Sequence, residues 1–115
     1  MEVRSWHEEG CTVVHARGDL DVSGAPRLSE ALDTVWSDGD PPNLVIDLTE
    51  VPFCDSVGLG VLVGALNHVR EMSGRLVLVL EPGMITHLLT ITNLDRHFAT
   101  SPTLTAARTT LSTAA

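Results

Sequence analysis

Apolar residues fall into blocks whose spacing changes along the chain, and that spacing assigns the elements. Val3 to His7 alternates weakly, and Cys11 to Arg17 resumes the strand pattern after Glu8-Glu9-Gly10, so the chain opens as a hairpin. A polar loop follows, Gly18-Asp-Leu-Asp-Val-Ser-Gly24. Leu28, Ala31, Leu32, Val35 and Trp36 then share one helical face, with Ser23 available as the cap and Pro26 in the first turn. Asp38-Gly-Asp-Pro-Pro42 breaks that helix. Asn43 to Leu48 is nearly continuous apolar sequence, the pattern of a strand covered on both faces. After a loop from Thr49 to Asp55, the periodicity predicts a helix from about Val57 to Met72. Its inward residues are Leu59, Leu62, Val63, Leu66 and Val69, and Gly74 stands where it ends. Leu76 to Leu80 is the clearest strand. Pro82 opens a third helix with Ile85, Leu88, Leu89 and Ile91 inward. His97-Phe98-Ala99 reads as a last short strand, and Ser101-Pro102 as the cap and start of a terminal helix through Leu104, Ala107 and Leu111. Thr113-Ala-Ala is expected to fray.

The order β-β-α-β-α-β-α-(β)-α predicts an α/β fold with a largely parallel sheet. The expectation is one domain over 1–115: a mixed sheet of four or five strands, helices packed mainly on one face, and the first hairpin as an antiparallel edge. At 115 residues the chain has room for one such unit. Aromatic residues are only 3% and Tyr is absent, so Val, Leu and Ala must carry the core.

Charge narrows the function. The formal net charge is -8, and all seven basic residues are Arg. A phosphate backbone repels such a surface, so direct nucleic-acid binding is not expected. Without Lys there is no Walker-A lysine, Schiff base or Lys general base. Cys11 and Cys54 lie in apolar runs and lack the further ligands of a zinc site, so they read as buried thiols in a reducing cytosol. The N-terminal residues lack a secretory pattern, and Val57 to Leu66 is too short to span a bilayer. A cytoplasmic protein without a membrane partner is expected.

Chemistry could live in Phe53-Cys-Asp-Ser-Val-Gly-Leu-Gly60, which follows a buried strand and opens a helix. Free backbone N–H groups and the helix dipole favour an anion there. The plain structural reading is that Ser56 caps the helix, with Asp55 adding charge beside it. Gly58, Gly60 and Gly64 suggest a phosphate cradle, with Glu81 as the distant carboxylate, although Val63 stands where a dinucleotide fingerprint has glycine. A nucleophilic Ser56 lacks the glycine-flanked elbow, and no local pattern ties any His to it. A third possibility is that Ser56 accepts a regulatory phosphate.

The segment Leu-Val-Ile-Asp-Leu-Thr-Glu-Val-Pro-Phe-Cys-Asp-Ser-Val-Gly-Leu-Gly-Val-Leu, from Leu44 to Leu62, resembles the signature of the STAS family, the bacterial anti-sigma factor antagonists. Gly18-Asp-Leu-Asp21 with the helix from near Ala25, and Gly74-Arg-Leu-Val-Leu-Val79 leading to Pro82, resemble two further blocks in family order. The resemblance implies a binding module, not an enzyme, with no cofactor, catalytic residue or metal site. It implies that Ser56 is phosphorylated by a partner anti-sigma factor that is itself a serine kinase, and that a phosphatase resets it. The partner-binding surface it implies comprises Asp21, Ser23, Asp55, Ser56, Val57, Gly58 and Leu59. Val57 replaces the usual small polar residue after the serine. Asn93 replaces a frequent glycine after the third helix, a change Asn tolerates because it adopts left-handed cap conformations. The alternatives are a constitutively docking STAS subunit of a transporter or other complex, and a small nucleotide-binding protein.

The five His residues share no metal-ligand spacing. Trp6 and Trp36 read as core or edge packing, and Asp38, Asp40 and Glu50 as solvated loop charges. Asp47, ending a buried strand, is the carboxylate expected to be hydrogen-bonded for structural reasons.

Overall fold

The computed structural model describes residues 1–8, 10–37 and 40–113; Glu9 of the expected hairpin turn, the helix-breaking Asp38 and Gly39, and Ala114–Ala115 of the expected frayed end lie outside them. Among the described residues five strands, β1 (Glu2–Glu8), β2 (Cys11–Arg17), β3 (Asn43–Glu50), β4 (Arg75–Val79) and β5 (Ala99–Ser101), form one sheet in sequence order. β1 pairs antiparallel with β2, and every later pairing is parallel.

Among the described residues four α-helices, α1 (Ala25–Trp36), α2 (Ser56–Glu71), α3 (Met84–Ile91) and α4 (Leu104–Thr113), complete the fold. The first three each join consecutive parallel strands stepping the same way across the sheet. Crossovers of one hand then place all three on one face. There Leu28 and Leu32, Leu62 and Leu66, and Ile85 and Leu89 pack over Val14, Ile46 and Leu78. α4 follows the last strand, is no crossover, and covers the other face, where Ala107 and Leu111 meet Val13, Val45, Val77 and Val79. Alternate residues of β2, β3 and β4 thus enter two separate cores, which explains why the central strands read as unbroken apolar runs. Among the described residues no helix is long and apolar enough to cross a membrane.

Several local expectations shift. Ile91 is 60% exposed rather than inward, because α3 ends there and Asn93 turns the chain with φ of 60° into a 3₁₀ turn, Leu94–Arg96. The last strand begins at Ala99, two residues beyond the expected start. α4 is capped not by Ser101 but by Thr103, whose Oγ1 accepts the Ala106 N–H at 3.1 Å; Ser101 is buried at the end of β5. Glu50 is not a loop charge: it ends β3 and pairs with His15 at 2.8 Å. Trp36 packs against the core and stacks on His68 with ring centroids 4.4 Å apart. Asp47 is hydrogen-bonded as expected, accepting from the Thr49 N–H at 3.0 Å and hydroxyl at 2.7 Å.

The end of α2 departs from the glycine expectation. Gly74 N–H reaches Val69 O at 2.8 Å and Ser73 N–H reaches Arg70 O at 3.1 Å, which is a Schellman closure. Ser73, with φ of 58°, takes the left-handed position that glycine usually fills. Gly74 serves a different need, since a Cβ on it would lie 2.3 Å from Pro42 O.

Candidate functional site

The C-terminal ends of β2 and β3 run into two loops, 18–24 and 51–55, that are zipped together. Leu20 N–H donates to Phe53 O at 2.9 Å and Asp55 N–H to Leu20 O at 3.2 Å, so Leu20 and Cys54 form a one-residue parallel bridge. Leu20 is fully buried and Cys54 is 1% exposed, and together they anchor the loops to the core.

Asp55, not Ser56, is the N-cap of α2. Its backbone is extended, at φ -102° and ψ -173°, and its Oδ1 accepts the Gly58 N–H at 2.9 Å. Its other oxygen accepts the Val22 N–H at 3.2 Å. Ser56 therefore stands one position later than expected, as the first helical residue, exposed and with its hydroxyl making no hydrogen bond among the described residues. On the other loop Ser23 is not the α1 cap either. Gly24 holds that position, and Asp21 Oδ1 takes up both the Ser23 N–H at 3.0 Å and the Gly24 N–H at 2.8 Å. The two expectations fail differently: at α2 the Asp55 carboxylate just upstream takes the Gly58 N–H, whereas at α1 Asp21 closes the turn before the helix and Gly24 caps it with no side-chain hydrogen bond.

Of the expected surface, Ser23, Ser56 and Val57 are exposed, and Asp21 and Asp55 are half-buried in their hydrogen bonds. Gly58 is buried: a Cβ there would sit 2.1 Å from Leu20 O. Leu59 is half-buried against the main core. Two neighbours that sequence reasoning passed over join the surface, Val22 at 67% exposure and Phe53 at 40%. A valine inside a run of Gly, Asp and Ser was the available signal for the first.

The chemistry of this surface is that of a capped helix start. The Gly58 N–H, which a phosphate cradle would need, is occupied by the Asp55 carboxylate, while Gly60 and Gly64 face open space. No base stands on Ser56 among the described residues, and no group of three His, Cys, Asp or Glu side chains there could hold a metal. Directly beneath, burial pushes the Cys54 thiol up to about 11, with the Asp55 charge adding to it.

Comparison with known proteins agrees on one family. The family model for the STAS domain matches residues 3–107. The anti-sigma-B factor antagonist of Listeria monocytogenes is 40% identical over 82 residues, covering 71% of this chain and 71% of that protein. A crystal structure of an anti-sigma factor antagonist from Mycobacterium paratuberculosis superposes with a TM-score of 0.86 at 32% identity, over 96% of this chain and 92% of the other. The Bacillus cell fate determinant SpoIIAA, solved in its phosphorylated form, shares the fold with a TM-score of 0.73 at 15% identity, over 95% and 99% of the two chains.

Proposed function

The chain belongs to the STAS domain family, and from that premise we propose that it is an anti-sigma factor antagonist switched by phosphorylation of Ser56. With Ser56 free, the surface around Asp21, Val22, Ser23, Asp55, Ser56 and Val57 captures an anti-sigma factor that is also a serine kinase. The captured factor no longer holds its sigma factor, and transcription proceeds. Phosphorylation releases the complex, and a phosphatase restores it. The protein works in the cytoplasm, by binding rather than catalysis, and touches no DNA.

The observation that carries this reading is Ser56 itself: an exposed hydroxyl with no other task, on the first residue of α2, beside two loops held in fixed register. Its caps are supplied by other residues, so modifying it does not dismantle the helix start. Val57 and Val22 next to it, at 47% and 67% exposure, offer apolar area to a partner. The test is to incubate the protein with its anti-sigma kinase and ATP and map the product by peptide mass spectrometry. Ser56 is expected as the major site; a different major site with Ser56 unmodified overturns the proposal. A partner that binds wild type and is never released by ATP would indicate constitutive docking instead.

A further inference from the structure

At the far end of α2 from Ser56 the sheet has an open edge. Among the described residues β5 pairs with Val77, Leu78 and Val79, so β4 extends past β5 at Leu76. α2 lies on one side of this edge and α4 on the other. Between the two layers a cleft of about 240 Å³ enters the protein, floored by Leu66, Val69, Leu76, Val77 and Leu111.

The charges around this cleft run against the composition. Fifteen carboxylates outnumber seven arginines in the chain, yet the described residues that line the cleft include Arg70 and Arg75 and no carboxylate. Arg70, exposed in the last turn of α2, is steadied by one hydrogen bond, from its Nη2 to His97 O at 3.2 Å. A guanidinium has five N–H donors in a planar fork, so the remaining donors can take a carboxylate side-on while the first keeps the side chain in place. An apolar floor with an anchored cation at its mouth is complementary to an anion carrying a short aliphatic chain. From this geometry we infer that the cleft between α2, β4 and α4 binds a medium-chain aliphatic carboxylate, its chain on the Leu66–Leu76–Leu111 floor and its head on Arg70. A liquid water occupies about 30 Å³, so the cleft has room for roughly eight atoms of that size.

The site is independent of the Ser56 surface, and so is its test. The full chain, ¹⁵N-labelled, is titrated with octanoate, octanol and octylamine while amide shifts are followed. Octanoate is expected to give saturable shifts confined to residues around Leu66, Arg70, Leu76, Ala99 and Leu111, with octylamine about tenfold weaker or undetectable. Arg70→Gln, a change at an exposed helix position, is expected to weaken octanoate about tenfold and leave octanol unchanged. Ala99→Trp, which fills the cleft from an exposed lining position, is expected to abolish both. Should Ala99→Trp unfold, Arg70→Gln still decides. Diffuse or non-saturable shifts, equal binding of octanoate and octylamine, or an Arg70→Gln variant that binds octanoate like wild type would each overturn the inference.

Discussion

The carboxylate of Asp55 joins α2 to the loop before α1: one oxygen caps the helix at Gly58 N–H, 2.9 Å away, and the other holds Val22 N–H at 3.2 Å. Two segments 33 residues apart are thus positioned by one side chain. Asp55→Ala is expected to cost about 1–2 kcal/mol in urea unfolding, the loss of an N-cap. Asp55→Ser keeps a hydroxyl that can cap but is too short to reach both donors. It should recover most of that stability while the Val22 amide exchanges faster with solvent. If the two variants show equal Val22 exchange and stability, the bridging role is wrong.

Gly58 and Gly60 at the start of α2 look alike in sequence and should separate under mutation. Gly58→Ala drives a methyl to within 2.1 Å of Leu20 O and 2.7 Å of Leu20 Cγ, so a loss of about 2–3 kcal/mol is expected. Gly60→Ala meets nothing within 4 Å and gains helix propensity, so it should stabilise by up to about 1 kcal/mol. Thermal unfolding of the two single variants measures the difference in sign.

Ser73 holds a left-handed backbone that costs an L-residue about 1 kcal/mol or more. Ser73→Gly should therefore raise stability by about 1 kcal/mol with no change in the amide spectrum beyond the α2–β4 turn. An unchanged or lowered denaturation midpoint would show that the Ser73 side chain is worth more than the strain it carries.

Cys54 links the site to the core, and its thiol is held protonated by burial, up to about 11 from an ordinary value of 9.0. The folded chain therefore keeps this proton over a range where the unfolded chain loses it. The stability so contributed is complete below pH 9 and is lost as pH rises from about 9 towards 11. Native protein at pH 8 should resist iodoacetamide at Cys54 and react fully once unfolded. Rapid labelling of Cys54 in the native state would contradict the burial.

How much of this was legible in the sequence differs between elements. The strands were readable because Asn43–Leu48 and Leu76–Leu80 are apolar at every position that matters, and that same unbroken pattern already required cover on both faces. α4 supplies the second cover, although its own sequence, rich in Thr and Ala, carries a weak apolar stripe. The α1 and α2 faces followed from spacing, with Leu28, Leu32, Leu62 and Leu66 buried as expected. Caps were less legible. Asp55 and Ser56 are both good cap residues, and only the extended backbone at Asp55 decides between them. Leu20 and Val22 have the same surroundings in sequence, yet one is fully buried and the other 67% exposed, because the bridge to Cys54 turns Leu20 inward. Long-range pairing of loops leaves no local periodic signal.

The position of Ser56 determines what a phosphate there should do. A phosphoserine adds about -1.5 to -2 charges at neutral pH. On the first residue of α2 those charges meet free backbone N–H groups and the positive end of the helix dipole, so the fold should tolerate them. The same place is flanked by Asp55 and, across the Val22 hydrogen bond, by the loop carrying Asp21. A docking partner must then bury a dianion against a surface that is already acidic, with the exposed Val22 and Val57 beside it. The penalty should fall on the interface and spare the fold. Ser56→Asp is expected to weaken anti-sigma factor binding at least tenfold, about 1.4 kcal/mol, while leaving the melting temperature nearly unchanged. Ser56→Ala should bind like wild type and resist release by ATP. Calorimetric affinity measured beside thermal unfolding separates the two effects. If Ser56→Asp bound as tightly as wild type, or lost binding only by unfolding, repulsion at the docking surface would not be the mechanism of release.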